Sequence, residues 1–353
     1  MTKLAGLKPI KIGNKSVGSG HECYIIAEIG SNFDRSLSQA KKLIRLAKEC
    51  GADAAKFQSF KTEYLLSRKG FERRKGYQAK WKKSAWDVYK DAELPREWHK
   101  ELSQYAKKIG IHFFTSAWDF QAVDLLEELG APAIKIGSGD LTHHKLVEYA
   151  ASKNKPILLA TGISTMSEID EAVQIIKNTG NNKIILLHAV VQYPSPIEYA
   201  NLKVLDTLRN RFKLNVGYSD HSLGNLVALA SATLGACVIE KHFTIDPKLS
   251  GPDHPHAMDP ASFKEMIQNI RLLEKAMGDG IKKIEQVEKE TRIIMRRGLW
   301  TTKKIKKGEK FTDENIMALR PAIGISASNY KRVMGKIAKK EYKPYQSLKI
   351  TDF

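Results

Sequence analysis

The chain of 353 residues has only three cysteines, Cys23, Cys50 and Cys237. They are too few and too widely spaced for a disulfide framework or a cysteine-based zinc site, so we expect a reduced, cytoplasmic protein. The chain also lacks the run of about 18 apolar residues that a membrane helix requires. Its first 20 residues contain no continuous apolar stretch like that of a signal peptide, and we expect no membrane partner.

Acidic residues are scarce relative to basic ones. The chain has 39 Asp and Glu against 58 Lys and Arg, which gives a net charge of +19. The excess is concentrated in residues 291–353, which hold 16 basic and 5 acidic residues. No nucleic-acid-binding motif accompanies this charge, so we expect no nucleic-acid partner. We favour a basic solvated surface or the steering of an anionic metabolite.

A glycine-rich dinucleotide-binding fingerprint is also missing, which argues against a doubly wound open sheet. Instead, eight short apolar runs alternate with amphipathic segments of helical period. The runs span residues 24–30, 54–58, 111–118, 133–138, 156–161, 184–189, 215–220 and 238–244. Eight strands that are each followed by a helix predict an α/β fold, a (β/α)8 TIM barrel.

Two departures from this repeat define the expected domain organisation. The connection over residues 59–96 is too long for an ordinary barrel loop and is rich in aromatics. We interpret it as a lid over the active site, with packing against a second subunit as the alternative. After the last helix the pattern changes to short strands and turns. We expect a barrel domain at 1–281, a charged linker at 282–295 and a small β-rich domain at 296–353.

Polar residues recur where the predicted strands end, and barrel active sites lie at that end. The candidates are Glu28, Lys56, Gln58, Ser116, Lys135, Ser138, Thr161, Tyr193, Ser219, His221, Glu240, His242 and Asp253. Lys56 and Lys135 each interrupt an apolar run, where a lysine is costly unless it is paired or functional. Two lysines and several hydroxyls at one mouth predict a phosphate site.

Two histidines bracket the apolar, helix-like segment between residues 217 and 242. His221 follows the seventh predicted strand and His242 ends the eighth, so the intervening helix returns the chain and brings both rings to one rim. Two imidazoles there can share a divalent cation and leave positions open for substrate oxygens.

Several of these stretches together resemble the sialic acid synthase family, namely IIAEIGSN, GADAAKFQSFK, IKIGSGDL, GYSDHSLG and VIEKHFTID. The tail GLWTTKKIKKGEKFTDENIMALRPAIGIS is similar to the antifreeze-like (SAF) domain of that family. The resemblance covers the chain from about residue 20 onwards. It implies an enzyme that condenses phosphoenolpyruvate with an N-acyl hexosamine, N-acetylmannosamine or a 6-deoxy-diacetamido sugar, to give a nine-carbon 2-keto-3-deoxy acid.

The resemblance also implies residue roles. His221 and His242 would bind Mn²⁺ or Mg²⁺. The phosphoenolpyruvate site would consist of Lys56, Lys135, Ser116, Ser138 and Ser219, with Thr161 beside Ala160, where relatives often have serine.

The remaining roles concern the sugar. Gln58, Tyr193 and Asp253 would contact the acceptor, and Glu28 and Glu240 would line the reacting centre. Arg320 would reach the acceptor's N-acyl group from the SAF domain of a neighbouring subunit, which implies a domain-swapped homodimer.

Departures from the family pattern, chiefly Phe33 in place of a histidine and Ile323 in the tail, affect the expected acceptor more than the reaction type. Two alternatives stay open at this point. One is a phosphoenolpyruvate-dependent synthase that acts on a sugar phosphate, and the other is a basic binding protein without catalysis.

Overall fold

The first 280 residues are organised around eight parallel strands that close into a barrel, in a computed structural model that describes residues 7–71 and 81–352. The chain divides into two units, Met1–Gly280 and Ile281–Phe353. A short antiparallel hairpin, β1 (Ile10–Ile12) and β2 (Lys15–Val17), precedes the barrel.

The barrel strands follow one another around the ring in chain order, and the last strand pairs with the first. They are β3 (Tyr24–Gly30), β4 (Ala54–Ser59), β5 (His112–Ala117), β6 (Ile134–Ile136), β7 (Ile157–Ala160), β8 (Ile184–Ala189), β9 (Asn215–Asp220) and β10 (Val238–His242). Almost every strand residue is buried, as expected for a parallel sheet that is covered on both faces. The predicted TIM barrel is confirmed.

Helices surround the strands. They are α1 (Leu37–Cys50), α4 (Trp98–Ile109), α5 (Phe120–Glu128), α6 (His144–Ser152), α7 (Met166–Asn178), α8 (Val204–Phe212), α9 (Leu226–Thr233) and α10 (Pro260–Met277). The first of these shows why they form: Ser36 accepts a hydrogen bond from the Gln39 amide at the N-terminus, and Gly51 ends the helix at φ +96°. No helix in the described ranges is long and apolar enough to cross a membrane.

The long connection after β4 contains two helices, α2 (Thr62–Leu65) and α3 (Ala85–Ala92). Residues 72–80 of the predicted lid lie outside the described residues. Glu93 ties the described parts together, because its carboxylate accepts from the Thr62 amide at 2.8 Å and from Lys90 at 3.0 Å. The connection is therefore a folded segment on both sides of the undescribed stretch.

Strand register places the polar candidates on one side of the barrel wall. Glu28 lies opposite Lys56 on one neighbouring strand and opposite His242 on the other. Ser116 is aligned with Lys135. Because side chains alternate along a strand, Glu240 and His242 point the same way while Lys241 points the opposite way.

The second unit has its own apolar core. It contains α11 (Lys289–Met295), the antiparallel pair β11 (Gly298–Thr301) and β12 (Ile316–Leu319), and α12 (Tyr330–Val333). The buried side chains are those of Leu299, Ile305, Phe311, Ile316, Ile325, Val333, Ala338, Tyr342 and Leu348. The short strands and turns expected of the tail are present.

Gly217 in β9 offers a test of how tightly the barrel is packed. A Cβ at this position would lie 2.6 Å from Leu187 Cδ2 and 2.6 Å from the Val238 carbonyl oxygen. The carbonyl oxygen belongs to the backbone of a neighbouring strand, which can move away only at a cost in free energy. We therefore expect Gly217→Ala to lower the free energy of unfolding by about 1–3 kcal/mol, as measured by urea denaturation. Gly139→Ala is the control, because a Cβ there meets no atom of the described residues within 4 Å. Equal losses in both variants would contradict the prediction.

Candidate active site

The carboxyl ends of the strands open into a cavity of about 400 Å³. Twelve of the fourteen residues proposed from the sequence line it: Glu28, Lys56, Gln58, Ser116, Lys135, Ser138, Tyr193, Ser219, His221, Glu240, His242 and Asp253. Residues that are more than 200 positions apart in the chain thus meet in one place, as expected at this face of a barrel.

Two proposed residues do not line this cavity as the described residues form it. Thr161 is buried, and its hydroxyl donates to the Leu187 carbonyl of the next strand at 3.2 Å. That bond directs the hydroxyl into the barrel wall, so the expectation that Thr161 holds phosphate is not supported. Arg320 lies in the second unit, is exposed, and contacts Met295 Sδ at 3.7 Å.

The floor of the cavity is a network of four buried charged side chains. Lys56 Nζ lies 2.5 Å from Glu28 Oε2 and 3.6 Å from Glu240 Oε2, and it donates to Ser116 Oγ at 3.0 Å. Lys135 Nζ donates to Glu240 Oε1 at 3.1 Å. Two cations and two carboxylates therefore share one site, and each charge has a partner of opposite sign.

The protonation states in this network differ between its members. Burial alone would raise the pKa of Glu240, but Lys135 and Lys56 outweigh it and lower that pKa to about 2. Burial raises the pKa of Glu28, and Lys56 offsets only part of the rise. Burial lowers the pKa of Lys135, whereas Glu240 and Glu28 raise that of Lys56 against the effect of burial. Two carboxylates with opposite shifts are typical of sites that separate acid and base roles.

The predicted histidine pair lies at the rim, as expected from the crossover helix. The ring centroids of His221 and His242 are 5.6 Å apart, and Tyr193 packs on His221 at 4.3 Å. His221 Nδ1 lies 2.8 Å from the Val190 carbonyl oxygen, which can only accept a hydrogen bond. Nδ1 is therefore the protonated nitrogen, and Nε2 remains available to a ligand. Burial lowers the pKa of His221 to about 4 and holds that of His242 well below its ordinary value, so both rings are neutral, as metal ligands must be.

A third histidine, His256, joins the pair in the cavity wall. Donor atoms of His242, Asp253 and His256 lie within 4.8 Å of one another, a spacing suited to a metal ion. In the part of the chain that the structure describes, His242 Nδ1 and His256 Nε2 are buried without a hydrogen-bond partner. A cation would satisfy both, so these residues fit a divalent metal.

Sequence reasoning assigned no role to His256, because it lies in an irregular loop where no periodicity indicates which side chain turns inward. Its neighbour His254 instead lies between Thr244 Oγ1 at 2.6 Å and Asp34 Oδ1 at 2.9 Å. His254 therefore holds the loop in place.

The outer wall of the cavity is apolar and comes from the long connection. Its lining side chains are Phe60, Leu65, Leu66, Phe71, Trp81, Val88, Tyr89 and Ala92. Trp118 lines the same cavity and stacks on Phe60 with centroids 4.8 Å apart. Its buried indole N–H has no hydrogen-bond partner among the residues that the structure describes. The described parts of the predicted lid therefore contribute directly to the cavity.

The departure at Phe33 lies outside the cavity lining as the described residues form it. Phe33 is fully buried and packs on Phe57 and Trp98 at centroid distances of 6.1 and 6.2 Å. The apolar ring is accommodated by the core behind the strand. Ala160 does line the cavity.

Residues 43–282 match the sequence profile of the NeuB family, and residues 296–349 match that of the SAF domain. The chain belongs to the NeuB family. The resemblance to sialic acid synthases with a C-terminal SAF domain is thereby confirmed.

Relatives within the NeuB family cover nearly the whole chain. The N,N'-diacetyllegionaminic acid synthase of Campylobacter jejuni is 44% identical over 90% of this chain and 96% of its own length. The pseudaminic acid synthase of Helicobacter pylori is 36% identical over 93% and 97%. The crystal structure of N-acetylneuraminic acid synthetase from Leptospira borgpetersenii has a TM-score of 0.73 and 31% identity, with 81% and 95% covered. The expectation of a synthase-type enzyme is confirmed.

A buried ion pair behind the rim of this NeuB-family site fixes the strands that carry the histidines. Lys241 Nζ donates to Asp220 Oδ2 at 2.7 Å and to the Ser222 carbonyl at 2.6 Å, and Asp220 Oδ1 accepts from the Ser222 amide at 2.9 Å. Lys241 and Asp220 face each other in register. Each is the chain neighbour of a rim histidine, so the pair holds His221 and His242 at a set separation.

Removing one member of this pair should cost more than removing both. Lys241→Met leaves the Asp220 carboxylate buried without its cation, and we expect a loss of about 3–5 kcal/mol in the free energy of unfolding. The double variant Asp220→Asn with Lys241→Met should recover part of that loss. Urea denaturation of the two single variants and the double variant measures the coupling. Strictly additive losses would show that the two side chains act independently.

Proposed function

We propose that the chain condenses phosphoenolpyruvate with an N-acyl hexosamine to give a nine-carbon sialic-type 2-keto-3-deoxy acid and phosphate. The observation that carries this proposal is the juxtaposition of the two buried lysines with Glu28 and Glu240 beneath a rim of neutral histidines. The synthases among the relatives, which are named for legionaminic and pseudaminic acids, support the same reaction class.

The lysine side of the cavity suits the phosphate and carboxylate of phosphoenolpyruvate. Lys56 and Lys135 supply positive charge, and the hydroxyls of Ser116, Ser138 and Ser219 line the same floor. Ser138 Oγ accepts from the Gly162 amide at 3.1 Å, which leaves its own proton for an anionic oxygen. A charge-assisted bond of this kind is stronger than a neutral one and stabilises charge throughout the reaction.

The carboxylates account for the chemistry at carbon 2 of phosphoenolpyruvate. Carbon 3 attacks the aldehyde carbon of the open-chain sugar, and the aldehyde oxygen takes up a proton to become a hydroxyl. Positive charge develops at carbon 2, where water adds and loses one proton. The bond between carbon 2 and the phosphate oxygen then breaks, the new hydroxyl gives its proton to the leaving phosphate, and the 2-keto group forms. Glu240, which is ionised, stabilises the positive centre electrostatically. Glu28, whose pKa is raised, takes the proton of the attacking water.

His221 and His242 would hold the divalent cation, Mn²⁺ or Mg²⁺. When bound, that ion supplies Lewis-acid polarisation of the acceptor's aldehyde oxygen. The chain orients the acceptor with the polar groups of Gln58, Tyr193 and Asp253. Of these, Gln58 Nε2 donates to Glu28 Oε1 at 2.8 Å and so connects the acceptor side to the reacting centre.

The apolar outer wall favours a 6-deoxy, N-acylated sugar over a fully hydroxylated one. Methyl groups of such a sugar can be buried against Leu66, Phe71 and Val88, whereas an extra hydroxyl there would lose its hydrogen bonds to water. A 2,4-diacetamido-6-deoxy hexose is therefore the acceptor that we propose first, with N-acetylmannosamine second.

Three further expectations belong to this proposal. The enzyme acts in the cytoplasm, as a domain-swapped homodimer. Arg320 binds the acceptor's N-acyl group in the neighbouring subunit, so Arg320→Ala should raise the KM for the acceptor more than it lowers kcat.

The decisive experiment measures phosphate release from phosphoenolpyruvate with Mn²⁺ against a panel of 2,4-diacetamido-6-deoxy hexoses, N-acetylmannosamine and sugar phosphates. We expect turnover with an unphosphorylated amino sugar and loss of turnover with a chelator. Lys135→Met should lower kcat/KM by about 100-fold or more, because an electrostatic contact with the reacting anion is lost.

Lys183→Met serves as the matched control, because Lys183 donates to the Asn154 carbonyl at 2.8 Å outside the cavity. It should keep wild-type turnover. Turnover only with a sugar phosphate would favour the alternative synthase. Absence of turnover together with salt-dependent DNA binding would favour the binding protein.

Asp140 gives the site a pH dependence that the sequence did not suggest. It lines the cavity, and burial raises its pKa to about 7 despite the opposing effect of Lys135. Below pH 7 the carboxyl is neutral, and above it a negative charge appears beside the anionic donor. We therefore expect the KM for phosphoenolpyruvate to rise between about pH 6 and 8.5 relative to the KM of Asp140→Asn. A constant ratio of the two KM values across that range would refute the assignment.

A further inference from the structure

The side chain of His256 is buried in the cavity wall in an environment that does not satisfy it. The residue is 5% exposed, and its Nε2 has no hydrogen-bond partner among residues 7–71 and 81–352. Leaving such a nitrogen unpaired in a buried position is destabilising. His242 Nδ1 is likewise buried without a hydrogen-bond partner among the described residues. The ring centroids of His242 and His256 are only 4.6 Å apart. Two adjacent unpaired imidazole nitrogens indicate a shared ligand.

The loop that carries His256 is fastened so that the ring lies against His242. The Met258 amide donates to the His242 carbonyl at 2.8 Å, and the Thr244 amide donates to the Met258 carbonyl at 3.0 Å. These two bonds return the loop to the end of β10. His256 is two residues before this clamp, which determines its place beside His242.

Asp253 supplies an oxygen to the same group. Its Oδ2 accepts from the Ser31 amide at 2.9 Å and from Ser31 Oγ at 2.8 Å, so the carboxylate is held in position. The donor atoms of His242, Asp253 and His256 lie within 4.8 Å of one another. Ligands at about 2.1 Å from one ion are at most about 4.2 Å apart, so small side-chain shifts close the set around a cation.

We propose that His256 is a third imidazole ligand of the divalent metal that His221 and His242 would hold, and that Asp253 supplies an oxygen to the same ion. This proposal rests on the proposed function and refines its metal site, which the sequence limited to His221 and His242. A ligand set rich in imidazole selects a transition cation such as Mn²⁺ or Co²⁺ over Mg²⁺. We therefore expect this chain to prefer such an ion by a wide margin.

The test uses the metal alone, without substrates, on the full chain after chelation and dialysis. Mn²⁺ is titrated, and the free ion is followed by its electron paramagnetic resonance signal. We expect His256→Ala and His256→Gln to weaken Mn²⁺ binding by at least about 10- to 100-fold, the loss seen even when a residue that merely supports a ligand is removed. With Co²⁺ bound, the visible absorption spectrum of each variant should be shifted relative to that of the wild type, because a nitrogen ligand is lost.

His188→Gln is the matched control. His188 is an imidazole at the end of β8 whose Nε2 lies 3.1 Å from the Ala200 carbonyl oxygen, and it does not line the cavity as the described residues form it. This variant removes a half-buried ring elsewhere in the barrel and should leave Mn²⁺ affinity unchanged. If Mn²⁺ affinity falls equally in His188→Gln and His256→Ala, the effect is general destabilisation and the proposal is overturned.

The remaining outcomes separate this proposal from the proposed function. Wild-type Mn²⁺ affinity and an unchanged Co²⁺ spectrum in His256→Ala, with binding lost in His242→Ala, would overturn the third ligand and leave the synthase intact. An increased KM for the acceptor with unchanged metal affinity would make His256 a substrate contact, which also overturns it. Turnover that survives the chelator would refute the metal dependence in the proposed function itself.

Discussion

The requirement that four buried charges neutralise one another at the floor of the barrel governs the rest of this structure. Lys56, Lys135, Glu28 and Glu240 are each at most 4% exposed. A buried ion without a partner costs several kcal/mol, so each of the four is tolerable only while the others remain in place. Strand register provides this, because Glu28 and Lys56 are aligned on adjacent strands and Glu240 is held by Ser219. The four charges are therefore paired only when the barrel closes in this register, and the same register forms the site.

The alternation of side chains along β10 extends this condition to the rim. Glu240 and His242 face the cavity, and Lys241 between them faces outward, where it meets Asp220 beside His221. One strand thus supplies Glu240 at the floor, His242 at the rim and, through Lys241, the ion pair behind the rim. Rigid strands can hold reacting groups more accurately than loops do, and this explains why the chemistry is concentrated on them.

The sequence was informative where periodicity and burial act together. A lysine within an apolar run, as at Lys56 and Lys135, signals a paired or functional charge, and polar residues at strand ends converge by the geometry of the fold. It was uninformative where the outcome depends on loop conformation. His256 and Asp140 lie in irregular segments, and nothing local shows that they turn inward. The role of Thr161 stays a prediction for a related reason, because a hydroxyl at a strand end can bond the neighbouring strand, as this one does, as well as a ligand.

Charge balance links the floor to the rim. With Lys56, Lys135 and Glu240 ionised, the floor has one net positive charge if Glu28 is protonated and none if it is not. Phosphoenolpyruvate carries more negative charge than either state offsets, so its binding depends on additional positive charge nearby. The neutral histidines do not provide it themselves, since burial keeps their pKa values low. Under the proposed function, a cation held by His221 and His242 would supply this charge, which would make the two rings an electrostatic counterpart of the lysines.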